Sequence, residues 1–86
     1  MSSAIYRYEI PVDDQWHAVQ LSGDVIHVAC RNPRAVELWG IHTDGPSATR
    51  GFRVFGTGQP LPGKVRHVGT APTPDGQLVW HLLELA

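Results

Sequence analysis

The chain has 86 residues, of which 42% are hydrophobic, and a formal net charge of −1 at pH 7. This length predicts a single β domain, residues 1–86, with a thin core. Basic and acidic residues nearly cancel, so the sequence lacks the basic excess of a general nucleic-acid binder. The one cysteine, Cys30, excludes an intrachain disulfide. We expect a cytoplasmic protein without membrane contact, because we find neither a signal peptide nor an apolar run of about 20 residues.

The first half of the chain alternates apolar and polar residues between short turn clusters, which predicts β-strands. The predicted strands are 4–10, 15–21, 25–30 and 35–42. The strand at 25–30 is apolar on both faces, one of which would carry Ile26, Val28 and Cys30. We therefore expect this strand at the centre of a sheet.

Two loops rich in glycine and proline, 56–63 and 71–76, divide the second half of the chain. The strands predicted around them are 50–55, 64–70 and 77–85. The leucines of the last segment also fit the spacing of a helix, but the preceding Asp-Gly turn and the Val-Trp-His sequence favour a strand. The pattern predicts an all-β, mainly antiparallel fold, either a small sandwich or a partly open barrel of about six to seven short strands.

The segment 50–63, RGFRVFGTGQPLPG, is the strongest candidate for a binding site. Its glycines let backbone N–H groups approach a ligand closely, and its arginines can donate charge-assisted hydrogen bonds to an anion. The same glycines also fit a β-bulge followed by a wide turn. The candidate ligand-binding residues are Arg50, Arg53, Gly56, Thr57 and Gly58.

Three tryptophans, Trp16, Trp39 and Trp80, are many for so small a domain. Tryptophan packs into cores, but it also anchors protein interfaces and stacks on ring-shaped ligands. We therefore keep two interpretations open, a core role and an interface or stacking role. Two tryptophans on the solvent side of the sheet would favour the second interpretation.

The five histidines show no zinc-motif spacing, so the sequence predicts no metal and no cofactor. An enzyme would need a pocket that joins His67 or His81 to an Asp or Glu side chain. Cys30 ends an apolar strand, where a thiol usually packs as a small hydrophobic group. No catalytic residue is assigned.

Four segments, IYRYEIPV, FRVFGTGQPLP, VGT and LVWHLLE, occur in this order along the chain. Together they resemble a family of small proteins of unknown function encoded by tailed phages and by actinobacteria. The resemblance covers nearly the whole chain, and its most specific parts are the FGTG-x-P-L/I core and the VWH sequence near the end. It implies a compact, phage-linked β domain and assigns no activity, cofactor or catalytic residue.

We expect a non-enzymatic interaction domain that forms a homo-oligomer or binds a protein partner. Its thin core, near-zero charge and unpaired strand edges all favour association. The alternative is a binding protein that sequesters an anionic small molecule, such as a nucleotide signal, with Trp16 or Trp39 as a stacking surface. A second alternative is a minor enzyme.

Overall fold

The computed structural model describes residues 2–86, and seven β-strands make up most of that length. The strands are β1 (Ser3–Pro11), β2 (His17–Leu21), β3 (Val25–Asn32), β4 (Ala35–Thr43), β5 (Ala48–Gly56), β6 (Val65–Pro72) and β7 (Val79–Leu85). Within residues 2–86 there is no helix, and hence none long and apolar enough to cross a membrane. The segment that also fitted a helix, 77–85, is therefore a strand over most of its length.

The strands form two separate antiparallel sheets. The three-stranded sheet has the order β1-β4-β3, and the four-stranded sheet has the order β2-β5-β7-β6. The two sheets pack face to face and do not close into a barrel, so the fold is a β-sandwich. This confirms the all-β prediction and decides between its two architectures.

The core lies between the two sheets and follows the alternation of each strand. The three-stranded sheet contributes Ile10, Val36 and Leu38, and the four-stranded sheet contributes Leu21, Phe52, Val54 and Leu82. All seven side chains are at most 2% exposed. Every second residue of a strand points to the same face, so the next residue of each strand lies on an outer face of the sandwich.

The two sheets approach each other closely at two glycines. A Cβ atom at Gly40 would lie 2.6 Å from Cδ1 of Leu21, so a larger residue would push the four-stranded sheet away. Gly69 meets the side chain of Val28 in the same way, at a point where the pairing of β6 with β7 shifts register. These contacts fix which strands face each other across the sandwich.

The prediction that residues 25–30 form a central strand is wrong, because β3 lies at an edge and β4 is central. A bulge between Val25 and His27 is the reason that the predicted faces also change. Val25 and Val28 pack against the core, whereas Ile26 is 49% exposed. The apolar residues at 25–30 therefore belong to an irregular edge strand and are not buried on both faces.

Candidate functional site

The outer face of the four-stranded sheet carries a second, smaller apolar cluster. Phe55 and Leu83 point away from the main core, yet they are only 1% and 4% exposed. The edge of Trp16 packs against the Phe55 ring, with 6.0 Å between the ring centroids. In the sheet, Phe55 pairs with His81, and Leu83 pairs with His67. Two imidazoles therefore lie beside the two buried apolar side chains.

The loop 56–63 begins with a tight turn. The Gln59 backbone N–H donates to the Gly56 carbonyl oxygen at 3.1 Å, and Gly58 has a φ of 88°. This left-handed torsion suits glycine at the third position of a type II turn. The Gln59 side chain accepts from the Gly56 N–H at 3.0 Å and donates to Asp14 at 3.2 Å. Gln59 therefore holds the loop to the connection between β1 and β2.

A pocket of about 280 Å³ lies between this loop and the outer face of the sheet. Its apolar lining comes mainly from Phe55, Leu61 and Leu83, and its polar lining includes two histidines. The complete lining is Phe55, Gly56, Thr57, Gly58, Gln59, Leu61, His67, His81 and Leu83. We call this cavity the loop pocket. Its size is near the lower end of the range for small-molecule sites, about 300–1,000 Å³.

Imidazoles and hydroxyls form a continuous hydrogen-bonded chain along one wall of the loop pocket. His81 Nε2 is 2.8 Å from the Thr57 hydroxyl, and His81 Nδ1 is 3.0 Å from the Thr70 hydroxyl. The Thr70 hydroxyl is in turn 2.8 Å from His67 Nε2. We call these four side chains the His–Thr chain. They come from the loop, β6 and β7, which the sequence does not place side by side.

The His–Thr chain can reverse its direction. A neutral imidazole donates through one ring nitrogen and accepts through the other, and a hydroxyl has only one proton to donate. If His81 accepts from Thr57, it donates to Thr70, which then donates to His67. If His81 donates to Thr57 instead, every bond along the chain turns round. The loop pocket can therefore offer a ligand either a donor or an acceptor.

Arg50 does not reach the loop pocket. It lies on the inner face of β5, where its guanidinium binds Glu84 through two bonds of 2.5 and 2.8 Å and donates to the Gly23 carbonyl oxygen at 2.8 Å. Glu84 is only 3% exposed. The hydrogen bonds from Arg50 lower the pKa of Glu84 below its usual range, against the opposing effect of burial. Arg50 therefore neutralises a buried carboxylate and is not free for an anionic ligand.

Arg53 is on the correct face of the sheet but points away from the loop pocket. Its guanidinium carbon lies 4.5 Å from the Phe55 ring centroid and 6.0 Å from that of Trp16. Its terminal nitrogen is 3.8 Å from an Asp14 carboxylate oxygen. Of the five predicted ligand-binding residues, the structure brings together Gly56, Thr57 and Gly58 and leaves Arg50 and Arg53 outside the pocket.

The three tryptophans lie in three different environments. Trp16 packs on Phe55 at the outer face of the four-stranded sheet. Trp39 lies on the outer face of the three-stranded sheet, with the His27 ring centroid 5.3 Å away and the Arg31 guanidinium 5.9 Å away. Trp80 faces inward and packs against the main core. Two tryptophans thus lie on outer faces, but these faces belong to opposite sides of the molecule.

The outer face of the three-stranded sheet carries a buried carboxylate in place of an apolar cluster. Glu37 is 5% exposed and accepts bonds of 2.7 and 2.6 Å from Arg31 and one of 2.7 Å from Arg7. The Arg31 hydrogen bonds, followed by those from Arg7, lower the pKa of Glu37 to about 2. A cavity of about 310 Å³ lies over this cluster and is lined mostly by charged side chains, those of Arg7, Glu9, Arg31 and Glu37.

The residues of the His–Thr chain were only partly accessible to sequence reasoning. His67 and His81 were considered as partners of an Asp or Glu side chain, whereas the structure joins them to threonine hydroxyls. Thr70 and Leu61 lie in the quoted segments VGT and FRVFGTGQPLP, but the sequence assigns no role to either residue. Across residues 2–86 there is no group of three His, Cys, Asp or Glu side chains that could hold a metal ion.

These features define a small all-β sandwich with a loop-covered pocket on one outer face. The chain belongs to the family described as "Domain of unknown function (DUF7352)", whose model matches residues 1–86. Searches of curated proteins and of solved structures found no match.

Proposed function

We propose that this chain is a non-enzymatic binding domain that takes a small organic molecule into the loop pocket. The observation that carries this proposal is the combination of an apolar floor, Phe55 and Leu83, with the adjustable polar wall of the His–Thr chain. Small-molecule sites are typically concave and mostly apolar, with a few well-placed polar groups. This proposal keeps the ligand-binding alternative drawn from the sequence. Its site retains the 56–58 turn but no longer includes the two arginines.

The geometry favours a different ligand from the nucleotide expected from the two arginines. Phosphate groups are usually bound by arginine or lysine side chains. Arg50 is bound to Glu84, and Arg53 lies over the Phe55 ring and beside Trp16, so neither guanidinium is part of the lining of the loop pocket. A ligand that fits apolar walls and two imidazoles has an apolar body and a single polar group.

The His–Thr chain supports binding better than catalysis. Thr57 and His81 resemble a nucleophile and its base, at 2.8 Å. However, the other ring nitrogen of His81 meets the Thr70 hydroxyl and not a carboxylate. A carboxylate in that place would orient the imidazole and stabilise its charged form during catalysis.

A matched pair of leucine variants tests the binding proposal. Leu61 and Leu78 are 55% and 52% exposed, but only Leu61 lines the loop pocket. We expect fragments found by ligand-observed NMR to lose binding in Leu61→Asp and to keep it in Leu78→Asp. Both variants should melt near the wild-type temperature, because exposed substitutions usually change stability by only about 0.5 kcal/mol. A fragment library without binders, or equal losses in both variants, contradicts the proposal.

A second candidate function is association of two copies through the three-stranded sheet. Ile5 is 58% exposed on the outer face of this sheet, and Tyr6 and Ile26, on its two edge strands, are 51% and 49% exposed. The near-zero net charge gives little repulsion between copies. Light scattering during size-exclusion chromatography tests this function. We expect a dimer that Ile5→Glu dissociates, and a monomer at all concentrations contradicts it.

The sequence adds two further proposals, a link to tailed phages from the resemblance and a cytoplasmic location from the composition. Both follow from the quoted segments and from the composition of the chain, not from the fold. The genes that neighbour this one in a genome test the first proposal. A fluorescent fusion observed in the host cell tests the second.

A further inference from the structure

We infer that the ligand of the loop pocket is a small organic acid, whose carboxylate accepts a hydrogen bond from Thr57 while His81 takes up one proton from the buffer. This inference rests on the proposed function and specifies the chemistry of the same site. It follows from the distribution of hydrogen atoms in the His–Thr chain and from the charges that surround it.

A protonated His81 always leaves the Thr57 proton free for a bound anionic oxygen and adds a positive charge beside it, whereas the neutral chain leaves that proton free in only one of its two directions. In one direction of the neutral chain, the Thr57 hydroxyl donates to His81 Nε2 and has no proton left for a ligand. An imidazolium donates from both ring nitrogens, so both threonine hydroxyls become acceptors of its protons. The Thr57 proton is then free for the ligand, and the Thr70 proton turns to His67 Nε2.

The surrounding charges leave the two imidazoles of the loop pocket as the groups that a bound carboxylate can protonate, and His81 is the one hydrogen-bonded to Thr57. From β6, His67 faces His81 through the Thr70 hydroxyl. On β5, Arg53 lies on the same outer face, two residues along the strand from the residue that pairs with His81. Its guanidinium is near Asp14. Glu84, Arg50 and Arg66 form their ion pairs with one another on the inner face. Arg53 and Asp14 largely cancel, so the imidazoles decide the local charge.

A carboxylate fits these groups better than a phosphate or an uncharged group. A phosphate would carry up to two charges into a pocket with no arginine or lysine in its lining. An uncharged amide would gain nothing from proton uptake. A carboxylate and an imidazolium attract each other, and each favours the charged form of the other. Phe55, Leu61 and Leu83 would contact the apolar body of the acid.

The test compares two acids with their uncharged isosteres across a range of pH. The probes are benzoate and cyclohexanecarboxylate, together with benzamide and cyclohexanecarboxamide, titrated by calorimetry. Histidines change charge between about pH 5 and 8, so above about pH 7 each further pH unit should weaken acid binding about tenfold. Amide binding should not change with pH. In buffers of different ionisation enthalpy, the acids should show uptake of one proton.

Four variants connect this pH dependence to named side chains. In His81→Gln the pH dependence should vanish, and in His67→Gln and the exposed control His27→Gln it should persist. Thr57→Val has nearly the same volume and should weaken acid binding about tenfold, the usual effect of losing a hydrogen bond to a charged group. A pH dependence lost in His67→Gln and kept in His81→Gln would assign the proton to the wrong histidine and overturn the inference.

The probes also distinguish a failure of the organic-acid inference from a failure of the proposed binding function. If the amides bind as well as the acids at every pH, the organic-acid inference is overturned and the loop pocket remains a binding site. If none of the four probes binds and the fragment library also fails, both are overturned. If only the acids bind, with proton uptake, both are supported.

Discussion

The two outer faces of the sandwich bury different kinds of side chain. On the four-stranded sheet, Phe55 and Leu83 are covered by the 56–63 loop and by Trp16. On the three-stranded sheet, Glu37 is covered only by the arginines that pair with it. The cavity on the first face has a mainly apolar lining, whereas the cavity on the second face is lined mostly by charged side chains. The comparison shows that the 56–63 loop, and not the sheet alone, supplies part of the lining of the loop pocket.

The largest expected difference between the two faces is in stability. Phe55→Ala should lower the free energy of unfolding by about 3–5 kcal/mol, because it removes a buried ring and leaves a cavity. Ile5→Ala, on the other outer face, should change it by no more than about 0.5 kcal/mol, because Ile5 is 58% exposed. Denaturant unfolding of both variants measures the difference. Equal losses would mean that the loop does not bury a second cluster.

The charged face should show its contribution through pH. The folded-state pKa of Glu37 is lowered from 4.5 to about 2, so its stabilising effect is complete above about pH 4.5 and is lost as the pH falls towards 2. Glu37→Gln should cost about 1–2 kcal/mol at pH 7, a value reduced by the exposure of both arginines. The cost should shrink as the pH falls from about 4.5 to 2. Urea unfolding at a series of pH values measures it, and a constant cost contradicts the ion-pair account.

The smallest expected effect lies in the covering loop itself. Gly58 has a φ of 88° with open space around its Cα, so Gly58→Ala should cost about 1 kcal/mol through backbone strain alone. Gly63, in the same loop, also has open space but no positive φ. Gly63→Ala is therefore the matched control and should be neutral or slightly stabilising. Equal costs would show that the turn at Gly58 is not the structural constraint.

Local pattern was sufficient to predict the strands and the glycine loop. The regular alternation at Phe52, Arg53, Val54 and Phe55 matches the two faces of β5, because side chains in a regular strand repeat every two residues. The same rule failed at 25–30, where a bulge moved Ile26 to the surface. A bulge depends on pairing with another strand, and one segment alone does not reveal it.

The candidate site could be predicted only in part, for a related reason. Gly56, Thr57 and Gly58 are consecutive, so the loop that carries them was visible in the sequence. Arg50 and Arg53 are near them in sequence. However, the alternation of side chains along β5 places Arg50 on the inner face, and Arg53 packs against Trp16. Thr70 lies beside His81 because β6 pairs with β7. A short stretch of sequence does not show which strands pair.

The measurement that tests the central claim most directly is long-range ¹H–¹⁵N NMR of the histidine side chains during a titration with benzoate. The account predicts that the ring nitrogens of His81 shift towards the protonated state while those of His27, beside Trp39 on the opposite face, do not move. Shifts confined to His27, or no shift at any histidine under saturating benzoate, would contradict it.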